Sequence, residues 1–385
     1  MRQVAILGIG QTIIDEQWEK SLREIAGEAA FAAMTDAGLQ KTDGLFVGNM
    51  LSSIIDSQNQ LGAFVSDWVG LWQHEAVKVE AACASGGAAF RAGVMAVASG
   101  EIDSALIVGV EKMTDQQGRD VTAGLATAAD ADYEVEQGIS FVGINALVMR
   151  RYMYEYGWKH IDFAPFSVNA HTNAVHNPYA RLQDGLTVEQ FEKSAMIASP
   201  INLMDASPIG DGAAAVIVVP AEQLHSIPGR PRIVVAGSAS ATDTIAVHSR
   251  REPLFLTAAY QSSKRAYEMA GITHKDIDFF ELHDAFSIMA ALSLEACGFA
   301  ERGQGPRLGL DNEITPRGRL PICTRGGLKA RGHPVGATGM YQIVGVIQQL
   351  RGECGPTQVD GAKIGMAQNI GGSGATILTH ILKAE

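Results

Sequence analysis

An α/β protein built from two similar halves is the fold class this sequence predicts. Three observations lead there. Apolar strand-like runs alternate with helical patterns from the first residue onward, the same order of elements returns in the second half, and 42 glycines, many beside alanine, point to closely packed elements. Apolar runs of this kind are typical of strands covered on both faces, so the expected sheet is mostly parallel.

The first run, Val4 to Gly8, reads as a buried strand. Ser21 to Gly38 reads as a helix: Ser21 is placed to cap its start, Glu24 stands at the capping-box position, and Gly38 supplies the exit. Gly44 to Gly48 reads as the next strand. In the second half Arg232 to Gly237, Ala258 to Gly271 and Ile277 to Leu282 repeat strand, helix and strand, and the helix exits at Gly38 and Gly271 align. Each half then offers a Gly-rich turn opening a helix, Cys83 to Gly87 and Gly332 to Gly339, followed by a strand at Ala105 to Gly109 and at Ala362 to Met366. The halves divide as residues 1–230 and 231–385. Within the first, roughly Glu111 to Ile201 is richer in polar and aromatic residues, among them Tyr152, Tyr154, Tyr156 and Trp158, and reads as an inserted loop domain able to cover a site.

Composition narrows the function. With 46% hydrophobic residues in 385, the chain can bury a large core. A net charge of -12 and the lack of a long Lys/Arg run argue against nucleic acid and anionic membranes as partners. No stretch approaches the roughly 18 apolar residues of a membrane span, and the C-terminal Lys383-Ala384-Glu385 is no peroxisomal address. Four scattered cysteines, at 83, 297, 323 and 354, form neither a disulfide framework nor a Cys-x-x-Cys metal pair. A reducing cytoplasm and no structural zinc are expected.

Three residues and one turn stand out as chemistry. Cys83 follows the strand-like run Val77 to Ala82 and precedes small residues that begin a helix, a position that favours thiolate; a buried structural cysteine is the competing reading. His333 lies in a stretch, Gly327 to Gly339, whose glycines and proline constrain the backbone around one imidazole. If a pseudo-twofold axis relates the halves, Cys83 and His333 occupy corresponding helix starts, where a cysteine and a histidine form a nucleophile and its base. His283 sits at the carboxyl end of a strand and can donate to a carbonyl oxygen, and the last Gly-rich turn, around Gly371, can present backbone N–H groups to an oxyanion.

Other chemistries fit less well. Gly8-Ile9-Gly10 opens like a dinucleotide fingerprint, but Ile13 stands at the third glycine position. Ser85 has Cys83 where a hydrolase elbow has glycine. His171 and His176 have no carboxylate or cysteine completing a metal set.

Taken together, Glu80-Ala81-Ala82-Cys83-Ala84-Ser85-Gly86-Gly87, Gly109 to Met113, Ser207 to Ala215, His283-Asp284-Ala285-Phe286 and Gly332-His333-Pro334 resemble the thiolase superfamily over nearly the whole chain. The His-Asp-x-Phe form is similar to the sterol-carrier-protein type and the archaeal acetoacetyl-CoA thiolases. The resemblance implies two βαβαβαββ halves in an α-β-α-β-α layering with a loop domain, an acylated Cys83 activated by His333, and an oxyanion hole that includes His283. It implies CoA thioesters as substrates with no tightly bound cofactor, and at least a homodimer. It also implies, as partners, a small zinc-ribbon/OB-fold protein and hydroxymethylglutaryl-CoA synthase. One departure matters: the second cysteine that thiolases usually carry is absent, with Ala285 and Asn369 at its two usual positions; Cys323, just before Gly326-Gly327, is the candidate to carry the proton instead, and an ordinary buried cysteine is the competing reading. The implied activity is acetoacetyl-CoA formation or cleavage. A thiolase for bulkier 3-oxoacyl-CoA, a carbon-carbon lyase and an acyl-CoA-binding subunit are the rivals.

Overall fold

The computed structural model describes residues 2–224 and 230–385. The first helix, α1 (Leu22–Ala37), starts as the sequence predicts: the Ser21 N–H and hydroxyl both donate to the Glu24 carboxylate, at 2.8 and 2.7 Å. It stops at Gly38, whose left-handed φ of 66° lets the chain turn back.

Strand β1 (Val4–Gln11) precedes α1; β2 (Gly44–Gly48), α2 (Leu61–Val69), β3 (Glu75–Val79), α3 (Ser85–Ser99) and β4 (Ala105–Glu111) continue the alternation. The chain then leaves the sheet through α4 (Gly118–Ala126), α5 (Phe141–Tyr156), α6 (Ala164–Ala174), α7 (Val188–Glu192) and the short pair β5 (Met196–Ala198) and β6 (Ile201–Asn202). It returns as β7 (Gly212–Pro220). The rest comprises β8 (Ile233–Thr242), α8 (Thr257–Ala270), β9 (Phe279–Glu281), α9 (Ser287–Ala296), α10 (Gly305–Leu310), α11 (Gly327–Arg331) and α12 (Thr338–Arg351), closed by the hairpin β10 (Ile364–Gly371) and β11 (Thr376–Ala384).

The strand order β3-β2-β4-β7-β1-β8-β11-β10-β9 has a pseudo-twofold pattern, with the halves joined antiparallel through Ala5 and Val234. A parallel bridge from Phe280 to Ile322 stands where the second half would repeat β3. The sheet is mixed, which corrects the expectation of a mostly parallel one. Among the described residues only the strand pairs β2–β3, β2–β4 and β9–β10 run parallel. In each half the last strand returns between two earlier ones and opposes both: β7 between β4 and β1, β11 between β10 and β8. β11 follows β10 through a short hairpin, which imposes antiparallel pairing, whereas β7 returns antiparallel to β4 only after the long excursion.

Alternate residues of each strand face different layers, as a period of two requires. Leu106, Val108 and Val110 pack with Ile25, Ala29 and Leu61 of α1 and α2, whereas Ile107 packs with Phe90 and Val97 of α3. That inner cluster also takes in Met340, Val344 and Ile347 of α12 and Leu382 of the second half. On the far side, Met366 and Ile377 pack with Ala259 and Ala266 of α8 and Met289 of α9. The layers therefore run α-β-α-β-α, with α3 and α12 enclosed at the centre. The excursion after β4 is tied to the second half, since Met149, Tyr152 and Phe166 join the α9 side chains in one core.

Glu111, at the end of β4, links the halves. Its buried carboxylate accepts from the N–H groups of Met50 and Leu51, from Asn49 Nδ2, and from Gly336 N–H across the interface, at 2.8 to 3.0 Å. Burial still pushes it up to about 7. Glu111→Ala strands three backbone donors, each costing about 1–3 kcal/mol when left unpaired. The expected result is a clear drop in the thermal midpoint, read by circular dichroism; Glu111→Gln, which keeps one accepting oxygen but faces an NH2 to the remaining donors, should also be destabilised, by less than alanine.

Candidate active site

Cys83 sits on an elbow between β3 and α3. Ala82 before it takes a left-handed φ of 52°, a strained backbone for a residue with a side chain. Ser85 holds the elbow: its hydroxyl accepts from Ala81 N–H at 2.9 Å and donates to Ala82 C=O at 2.6 Å. The same left-handed step recurs in the second half at Cys323, directly after the Ile322 bridge.

Helices α3 and α12 begin against each other. A Cβ on Gly86 would lie 2.8 Å from the Gly336 carbonyl oxygen and 3.0 Å from Met340 N, so only glycine permits this approach. His333 is delivered to the same place by the turn before α12. Its N–H donates to Pro208 C=O at 2.9 Å, within the Ser207 to Ala215 stretch, and its Nδ1 lies 2.7 Å from Thr338 Oγ1. His283, two residues past β9, meets it edge to face, with ring centroids 5.2 Å apart and planes at 87°. Both imidazoles are buried.

The last Gly-rich turn completes the enclosure. Gly371 ends β10 and lies against the Cys83 elbow, where its Cβ would collide with Ala81. Backbone N–H donation from the next residue, Gly372, and from Cys83 itself works to lower the thiol's pKa. Asn369, buried in β10, accepts from Gly87 N–H at 3.1 Å and places Nδ2 3.3 Å from His283 Nδ1. Cys323 lies elsewhere, in the core behind β9, with its thiol 3.8 Å from the Leu282 carbonyl. Burial and the Asp284 and Glu281 carboxylates hold that thiol well above its usual range.

The electrostatics correct the expectation of a thiolate. Although Cys83 keeps some exposed surface, desolvation, aided by the Glu111 carboxylate, pushes its thiol up to about 12 against the donation from Gly372. A helix start alone does not outweigh that cost. Burial, with Arg331 nearby, holds His333 at about 3 and His283 well below 6.5. At neutral pH the resting site therefore contains a thiol and two neutral imidazoles. Alkylation of Cys83 by iodoacetamide should then climb about tenfold per pH unit from pH 7 to 10 with no plateau near the ordinary thiol pKa; a plateau at pH 8 to 9, followed by intact mass, would contradict this.

A thiol, two neutral imidazoles and a Gly-rich turn are gathered around the starts of α3 and α12. The family model described as "Thiolase, N-terminal domain" matches residues 4–222, and "Thiolase C-terminal domain-like" matches residues 239–384. The chain belongs to the thiolase family. It is 45% identical over 383 residues to the acetyl-CoA acetyltransferase of Methanothermobacter thermautotrophicus, covering 99% of each chain. It is 31% identical to the benzoylsuccinyl-CoA thiolase subunit BbsB of Thauera aromatica, over 93% of this chain and 92% of that one. Among solved structures, one titled "Ltp2-ChsH2(DUF35) aldolase" superposes with a TM-score of 0.86 at 24% identity, covering 99% of this chain and 98% of that one. That likeness speaks for the fold.

This thiolase is an acyl-CoA C-acyltransferase, an enzyme acting on CoA thioesters. Sequence reasoning missed the Gly372 amide, Thr338 behind His333, and the brace at Glu111. Glu111 had a signal, since it stands inside the Gly109 to Met113 stretch that carries part of the resemblance. Gly372 and Thr338 had none beyond adjacency to a Gly-rich turn. Among the described residues no helix is long and apolar enough to cross a membrane, and no group of His, Cys, Asp and Glu is spaced to hold a metal ion.

Proposed function

We propose that this thiolase joins two acetyl-CoA molecules to acetoacetyl-CoA and CoA, and runs the reverse cleavage, through an acyl group carried on Cys83. The observation that supports this most is the meeting of the α3 start beside Cys83 with the Gly336 turn after His333 and with the Gly371 turn, while His333 packs edge to face on His283. The 45% identical acetyl-CoA acetyltransferase supports the short acyl chain.

In the first half-reaction the Cys83 sulfur attacks the thioester carbonyl while His333 takes the thiol proton. The carbonyl oxygen gains negative charge, for which His283 is the side-chain donor. Gly371 and the turn after it set the backbone around that oxygen. The tetrahedral species collapses as CoA leaves with the proton held by His333. In the second half-reaction a carbanion from another acetyl-CoA attacks acetyl-Cys83 and expels the sulfur. With Ala285 and Asn369 at the positions where thiolases carry a second thiol, His333 takes the α-proton whose loss makes that carbanion and returns it to the expelled Cys83 sulfur. Both half-reactions exchange only acyl groups and protons, so the chemistry requires no resident cofactor.

The halves divide at residues 230 and 231 in this reading, with the excursion at about 111–201 covering the site. The assembly is a cytoplasmic homodimer at least. The small zinc-ribbon/OB-fold protein and hydroxymethylglutaryl-CoA synthase are candidate partners carried over by the resemblance.

The deciding assay is CoA-dependent loss of acetoacetyl-CoA by the purified chain alone, with Cys83→Ser as control. Turnover that depends on Cys83 is expected. No turnover of acetoacetyl-CoA, with turnover of a larger 3-oxoacyl-CoA, would replace the short-chain reading; turnover only after adding a partner protein would show that this chain alone is incomplete.

A further inference from the structure

Asn369 is bonded at both ends of its side chain, and the two bonds together fix a proton two residues' reach away. Its Oδ1 lies 3.1 Å from Gly87 N, and its Nδ2 lies 3.3 Å from His283 Nδ1. Gly87 is in the first turn of α3, where a backbone N–H has no partner inside the helix. A backbone N–H only donates, so the amide oxygen must face it, and the orientation of the Asn369 carboxamide follows. The amide N–H then points at His283 Nδ1, which must accept. A neutral imidazole has a single N–H, so the proton resides on Nε2.

The surroundings are cut to this carboxamide. A Cβ on Gly87 would stand 3.1 Å from both Cβ and Oδ1 of Asn369, and one on Gly339 would overlap its amide oxygen. Glycines from α3 and α12 therefore form the two walls of the slot, and Asn369 is itself buried. Burial, with His333 and Arg331 nearby, keeps His283 well below 6.5 and therefore neutral, so the tautomer is the only protonation choice left to it.

We infer that Asn369 is a positioning residue that sets the tautomer of His283, keeping Nδ1 bare so that Nε2–H is available to the thioester oxygen. The inference rests on the acyl-transfer reading for its consequence but not for its geometry. It assigns a task to the position where a second thiol is missing: a donor to His283 in place of a proton carrier.

The test is a long-range proton–nitrogen NMR correlation on the protein labelled with nitrogen-15 histidine, assigned with His283→Gln, alongside thiolysis kinetics of acetoacetyl-CoA. Wild type should show His283 protonated at Nε2. Asn369→Asp, of nearly the same shape, offers only acceptors when ionised and should move the proton to Nδ1. Should that aspartate take up a proton, Asn369→Leu, which can neither donate nor accept, frees Nδ1, and His283 should no longer be held in the Nε2 tautomer alone. Loss of one oxyanion donor lowers kcat by about 10²–10³-fold, with KM little changed because the donor matters most in the transition state. A wild-type His283 protonated at Nδ1 overturns the inference whether or not the enzyme turns over. So does a variant with a shifted tautomer and undiminished kcat, or one that loses kcat with the tautomer unchanged. If wild type shows the Nε2 tautomer but no Cys83-dependent turnover, the acyl-transfer reading fails and the geometry stands.

Discussion

Cys83→Ala should yield a folded protein that gains no acyl mass from acetoacetyl-CoA and loses thiolysis by at least about 10³-fold, the scale on which removing a covalent nucleophile acts. The fold should survive because the elbow does not depend on the sulfur. Ser85 closes it by bonding Ala81 and Ala82, and Ala84 C=O starts the helix by accepting from Ala88 N–H at 2.9 Å. Alanine is already tolerated on either side of position 83, at the left-handed Ala82 and at Ala84. Intact mass after exposure to acyl-CoA, read with and without hydroxylamine, reports the adduct, and a thermal melt reports the fold. A labile adduct persisting on the alanine variant would assign the acyl group to another nucleophile and remove Cys83 from the reaction. An adduct on wild type also separates an enzyme from a subunit that only binds acyl-CoA.

Much of this protein was legible in the sequence because local chemistry and repetition carry information along the chain. Ser21, Glu24 and Gly38 set both ends of α1 without help from any distant residue. The repeated order of elements predicted the pseudo-twofold arrangement, and that arrangement placed the start of α3 against the start of α12. Strand direction was another matter. Gly212 to Pro220 and Thr376 to Ala384 read as apolar strands whichever way they run, and nothing within them states that each opposes both its neighbours. The protonation of Cys83 is not legible in the sequence for a related reason. A helix start is visible in sequence, whereas the desolvation of the sulfur and the approach of Glu111 arise only when residues far apart in the chain pack together. Asn369 was visible as an absence of thiol; the amide it orients itself by, Gly87, lies 282 residues away.

His333→Ala should slow acylation of Cys83 by at least about a hundredfold, the usual scale of lost general-base catalysis. The reason lies in the mismatch between the two groups. A thiol at about 12 exists as thiolate in only about one molecule in 10⁵ at pH 7, so the free enzyme does not hold a ready nucleophile. A group held at about 3 is in turn a weak base in the resting enzyme, yet it is reliably empty of a proton across the neutral range. Transfer between them becomes favourable when the thioester carbonyl arrives, because negative charge then passes from sulfur to the carbonyl oxygen and its donors, leaving the new imidazolium opposite an oxyanion. Thr338 Oγ1, 2.7 Å from Nδ1, is positioned to accept an Nδ1–H and so leave Nε2 free to take the thiol proton. Pre-steady-state acylation followed by quenched-flow mass spectrometry gives the rate directly. In the alanine variant the remaining rate should rise with pH about tenfold per unit, since only the thiolate formed by the solvent can then attack. An unchanged rate at pH 7 would remove His333 from the role of base, and a slow rate that ignores pH would mean that the variant fails for want of the histidine's packing instead of its basicity.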